Sequence, residues 1–98
     1  MKQISLNING HPVVVKVSKW TRRPKANGIY IRVPFEAEGF LGLIQECIEV
    51  MFNITIDIHT ENGFYIPETE AVFLEEASVI RGLKKAEAMG WLNSSVAK

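Results

Sequence analysis

The dipeptide Asn9-Gly10, set between two runs of alternating apolar residues, constrains this chain more than any other feature. A two-residue turn that matches strand twist needs positive φ at both central positions, which asparagine and glycine reach at least cost. Ile4, Leu6 and Ile8 precede the turn, and Val13 and Val15 follow it. The turn then sets Ile8 opposite His11, Leu6 opposite Val13 and Ile4 opposite Val15, with the apolar residues on one face. A slip of one residue would send that whole set to water. Pro12 cannot donate to a ladder, so the Pro12 end of the second strand is expected to have an open edge or a bulge.

The run Thr21–Gly28 reads as a loop. Ile29, Ile31, Val33 and Phe35 then alternate with Tyr30, Arg32 and Pro34, which gives a third strand that Pro34 ends. From about Ala37 to Phe52 the period changes. Phe40, Leu43, Ile44, Cys47, Ile48 and Met51 follow helical spacing, with Glu38, Gln45, Glu46 and Glu49 on the other face. A fourth strand is expected at Ile54, Ile56 and Ile58, then a hairpin at Asn62-Gly63 and a short fifth strand at Phe64–Ile66. A second helix is expected from about Glu70, capped by Thr69, with Phe73, Ala77, Ile80 and Leu83 inward and a bend or break at Gly82. Gly90 is expected to end it, with Trp91 folding back over the last turn.

The order is β-β-β-α-β-β-α: an α+β domain over residues 1–92, two layers, with a mainly antiparallel sheet and two helices on one face. Residues 93–98 are expected to fray. A chain of 98 residues buries roughly 60–70% of its unfolded surface, enough for one core. Cys47 is the lone cysteine, so no internal disulfide supports that core. The first five residues lack the apolar run of a signal peptide, and no segment reaches the roughly 20 apolar residues of a membrane span. A cytoplasmic protein is expected.

The formal net charge is zero, yet the signs are sorted along the chain. Residues 1–35 hold Lys2, Lys16, Lys19, Arg22, Arg23, Lys25 and Arg32 and no acid. Residues 36–80 hold Glu36, Glu38, Glu46, Glu49, Asp57, Glu61, Glu68, Glu70, Glu75 and Glu76 and no lysine or arginine. The remainder is weakly basic. If helix one covers one sheet face, its carboxylates point away from the basic strands and the molecule has two poles.

Three constellations could carry function. The basic segment Lys16–Arg32, with Trp20, Arg22, Arg23 and Lys25 at its centre, could hold phosphates and stack bases, or it could be a solvated hairpin loop. The acidic surface Glu38, Glu46 and Glu49 could meet a basic partner, or pair with the basic blocks. Asp57, His59 and Glu61 have strand spacing on one face, which could serve a metal or acid–base chemistry, or be a solvated edge. Trp91 could anchor an interface or cover the core. His11 beside its turn and Cys47 in the apolar stripe read as structural. No phosphate loop, nucleophile elbow or cofactor motif is present.

Binding is therefore favoured over catalysis, and no cofactor or metal is expected. The expectation is a small non-enzymatic protein that modulates a larger protein partner, a nucleic-acid-processing enzyme among the choices. Direct nucleic-acid binding by the Trp20–Lys25 segment is the alternative, and an enzyme at Asp57, His59 and Glu61 the third reading. In size, cysteine poverty and absent motifs the chain resembles the small accessory proteins of phages and mobile elements that inhibit or redirect host nucleases. That resemblance implies a partner class and no particular residue.

Overall fold

The computed structural model describes residues 2–22, 26–67 and 75–93. The first hairpin forms as the Asn9-Gly10 turn requires. Strand β1 (Lys2–Ile8) and strand β2 (His11–Arg22) pair antiparallel, with Leu6 opposite Val13 and Ile4 opposite Val15. Asn9 has φ 54° and Gly10 φ 85°. Ile8 and His11 close the turn, so Asn7 and Pro12 form a non-hydrogen-bonded pair. The imide nitrogen of Pro12 therefore faces the flank where the next strand has not begun, since β3 (Ala26–Arg32) meets β2 only from Lys16 onward. The ladder passes Pro12 by an open edge, without a bulge.

The second hairpin is longer than the sequence suggests. Ladder pairing continues through Trp20–Gly28 and Thr21–Asn27 to Arg22–Ala26, so most of the expected loop is strand. Strand β5 (Gly63–Pro67) pairs antiparallel with β3, and β4 (Ile58–Thr60) with β5. The sheet order is β1-β2-β3-β5-β4. Strand five is thus interior, and the edges are β1 and the three-residue β4.

The expected fourth strand is displaced. Ile54 and Ile56 lie ahead of β4, with Ile56 buried and Ile58 exposed. The reason is the end of helix α1 (Leu41–Phe52). Asn53 is left-handed at φ 54°, and the Ile54 N–H donates to the Glu49 carbonyl. The Ile56 N–H donates to the Glu49 carboxylate at 2.8 Å. These groups serve the helix end, so Ile54 and Ile56 lie in a connector, and of the three isoleucines Ile58 alone joins a ladder. The turn after β4 is also shifted by one residue, since Thr60 pairs with Gly63 and Glu61-Asn62 occupy the turn.

Helix α1 is preceded by a 3-10 helix, Phe35–Phe40, where one continuous helix from Ala37 is expected. Its core stripe is as the periodicity gives it: Ile44, Cys47 and Ile48 are buried, and Phe40, Leu43 and Met51 pack partly against them. Helix α2 (Glu76–Ala88) starts later than expected, because Glu75 is extended at φ −119°, ψ 154°. Thr69, Glu70 and Phe73 lie outside the described residues. Val79, Leu83 and Ala86 are its buried face, while Ala77 and Ile80 are only partly covered. Gly82 does not break it. A Cβ there would sit 3.3 Å from both Met51 Sδ and Phe52 Cζ, so glycine lets α2 approach the end of α1.

The C-terminus of α2 is a Schellman turn around Gly90 at φ 80°. Trp91 N–H donates to the Ala86 carbonyl and Gly90 N–H to the Glu87 carbonyl. The side chain that closes this turn into the core is Leu92, fully buried, whereas Trp91 stays 41% exposed. Both helices cover one sheet face, and the core between layers includes Leu6, Ile8, Val15, Val17, Ile29, Ile31, Phe64 and Ile66. Among the described residues no helix is long and apolar enough to cross a membrane.

Candidate functional site

Two surfaces follow from this architecture. The first lies on the helix layer. Leu43, Glu46, Cys47 and Val50 recur on one flank of α1 at helical spacing. With Trp91 they line an apolar groove of about 340 Å³. Val50 is 64% exposed beside the exposed Trp91. Glu46 is exposed and makes no ion pair with any described residue. Burial pushes the Cys47 thiol above its usual range, and the neighbouring Glu46 charge adds to the effect. The groove wall is thus a neutral thiol at neutral pH.

The acidic residues of the sequence behave differently from one another. Glu46 belongs to the groove. Glu38 is exposed in the 3-10 helix. Glu49 is committed: its Oε2 accepts from the Ile56 N–H and, at 3.3 Å, from Gln45 Nε2. That corrects its expected place in a free acidic surface. The ion pair described is Lys84–Glu87 at 3.5 Å, within α2. Glu36, Glu38, Glu46, Asp57 and Glu61 make none with the described basic residues, so mutual neutralisation of the two blocks does not account for them.

The second surface is the sheet face without helices. Val17, Ile29, Ile31, Phe64 and Ile66 point into the core, so their neighbours Lys16, Trp20, Tyr30, Arg32 and Tyr65 point outward. Tyr30 and Tyr65 stand opposite and stack at 4.5 Å, and Trp20 meets Tyr65 edge-on at 5.2 Å. Tyr30 Oη and Thr60 Oγ1 are 3.0 Å apart. Gly28 lets the indole lie flat, since a Cβ there would be 2.7 Å from Trp20 Nε1. That Nε1 is buried without an acceptor among the described residues. Trp20 is therefore a packed member of an aromatic cluster, not the open stacking group of a loop. Arg22 ends β2, and Arg23 and Lys25 lie outside the described residues.

Asp57, His59 and Glu61 do not converge. His59 Nε2 is 2.7 Å from Gln45 Oε1, which ties β4 to α1, and all three residues are exposed. No group of three or more potential metal ligands forms among the described residues. His11 packs its ring 5.8 Å from Phe40.

The groove was only half visible in the sequence. Trp91 and Glu46 stood out as types, but their meeting depends on how α2 crosses α1. Val50 carried no signal beyond its place off the apolar stripe. No family model, curated protein or solved structure matches the chain.

Proposed function

We propose that this chain is a small non-enzymatic interaction protein that binds a larger protein through the α1–Trp91 groove. The observation that carries this reading is the exposed pair Trp91 and Val50 at the mouth of an apolar groove beside Glu46, which has no ion pair among the described residues. Tryptophan is enriched at interface hot spots, where a large ring fills a desolvated pocket. The occupant that fits is a basic segment of the partner with one apolar anchor. The anchor enters between Leu43 and Trp91, and a cation meets Glu46, which no described lysine or arginine pairs with.

A nucleic-acid-processing enzyme is the partner class we favour, because its surface is already basic to hold phosphate. Occupying that surface with the Glu46 side of this groove inhibits or redirects it. A cytoplasmic location goes with that reading.

The test is capture of partners by the wild type and by two variants, Trp91→Ala and Val50→Arg, followed by binding measurements with the purified partner. A partner held by wild type and weakened at least tenfold by each variant supports the reading. A partner held equally by all three removes the groove from the interface.

A further inference from the structure

The helix-free face carries a second, separate feature. Lys16 and Arg32 are directly opposite each other across β2 and β3. Directly opposed residues in an antiparallel pair hold their Cβ atoms about 4.5–5.5 Å apart, and like charges so placed repel. Neither cation has an ion-pair partner among the described residues, and no described strand residue on this face is acidic. Both are half-buried, so neither is simply extended into water. Together with Val33, Pro34, Phe35 and Asn62 they line a cleft of about 330 Å³. Phe35, just beyond the end of β3, is 62% exposed at its rim.

Two facing cations, with no carboxylate paired to them among the described residues and an exposed aromatic ring beside them, match one kind of ligand. It carries a phosphate and, one bond path away, a flat base. We propose that this cleft binds single-stranded nucleic acid, with Lys16 and Arg32 on backbone phosphate and Phe35 stacked on a base. A duplex hides its base faces in its own stack and offers Phe35 nothing to cover. A phosphorylated or acidic protein segment would satisfy the cations and leave the ring bare. The cleft is on the opposite sheet face from the α1–Trp91 groove, so the two readings stand or fall separately. It also moves the nucleic-acid contact away from Trp20, whose ring is occupied by Gly28 and Tyr65.

Fluorescence anisotropy of a labelled single strand of about ten nucleotides tests this, titrated with the full chain at several salt concentrations. The expected result is salt-dependent binding that the matching duplex does not reproduce. Lys16→Gln with Arg32→Gln lowers the slope of log K against log salt by about 1.4, from two lost phosphate contacts at about 0.7 each. Phe35→Ala weakens binding about tenfold or more and leaves that slope unchanged, because stacking releases no counterions. The double variant relieves a like-charge pair, so its thermal midpoint stays level or rises, which keeps misfolding out of the comparison. No binding at low salt, equal binding of duplex and single strand, or variants that bind as wild type would each overturn the proposal.

Discussion

Glu87 Oε2 accepts the backbone N–H of Asn7 at 2.6 Å. Asn7 belongs to a non-hydrogen-bonded pair of the first hairpin, so its N–H points off the edge of the sheet. Two residues along, the carbonyl of Ser5 points the same way and accepts from Lys84 Nζ at 3.0 Å. One turn of α2 thus occupies two consecutive open positions of edge strand β1. An unpaired edge is a template for a second chain, and charged groups laid on it are a common safeguard.

Removing that safeguard has a readable consequence. Glu87→Ala frees the Asn7 N–H and is expected to cost about 1 kcal/mol, the modest net worth of a hydrogen bond at an exposed site. The more telling effect is association. Glu87→Ala together with Lys84→Ala is expected to form concentration-dependent dimers in sedimentation velocity, while Glu87→Gln, which keeps an acceptor, stays closer to wild type. A double variant that sediments as wild type at every concentration would show that α2 does not guard this edge.

The contact between the helices gives a graded test. Gly82 faces Met51 and Phe52, the flexible ends of two half-buried side chains. Alanine gains about 1 kcal/mol of helix propensity over glycine. A few tenths of an ångström of movement by Met51 and Phe52 accommodates the methyl. Gly82→Ala is therefore expected to be neutral or stabilising by up to about 1 kcal/mol, whereas Gly82→Leu loses about 1–3 kcal/mol from overpacking. Urea unfolding of both variants reads the difference. A large loss in Gly82→Ala would mean that the helices cannot yield there.

Much of this architecture was legible because local signals and the fold agree. Asn9-Gly10 and the alternating residues around it dictate the register of β1 and β2, and the helical stripe of α1 identifies its buried face. The displaced fourth strand shows where local signals and fold part. Ile54, Ile56 and Ile58 have strand period, but the side chain and carbonyl of Glu49 take the amides of Ile54 and Ile56. A carboxylate that reaches seven residues forward leaves no mark in periodicity. The sites are less legible still. Lys16 and Arg32 bound the basic segment in the sequence, and become a facing pair only when β2 and β3 set them opposite. Charge sorting suggested two poles and could not say which residues face outward together; Lys2 and Lys19 in fact share a cleft with Glu75 and Glu76.

Glu49 separates structure from recognition. Its carboxylate holds the Ile56 N–H in a part-buried position, so Glu49→Ala leaves a donor unpaired at a cost of about 1–3 kcal/mol. Glu49→Gln retains an acceptor and is expected to lose less. Neither change touches the α1–Trp91 groove, so partner affinity is expected to hold in the folded fraction. Denaturation and binding measured on the same preparations check both halves. A selective loss of affinity without loss of stability would return Glu49 to the contact surface.

Cys47 links the groove to pH. Burial first, and the charge of Glu46 second, raise its thiol pKa in the folded chain. A group whose folded pKa lies above its unfolded value stabilises the fold below the unfolded value, about 8.5 for a thiol, and loses that contribution as pH rises through the folded one. The melting temperature of the wild type is therefore expected to fall more steeply between neutral and strongly alkaline pH than that of Cys47→Ala. The neutral thiol is also a poor nucleophile, so the native protein reacts with a disulfide reagent more slowly than the unfolded chain at pH 7. Once alkylated by a bulky reagent under forcing conditions, Cys47 fills the groove it lines. The modified protein is then expected to lose its partner while keeping any affinity for a single-stranded oligonucleotide. Equal melting profiles for wild type and Cys47→Ala across that range would show that the thiol does not titrate against the fold. An alkylated protein that still holds its partner would place the interface elsewhere.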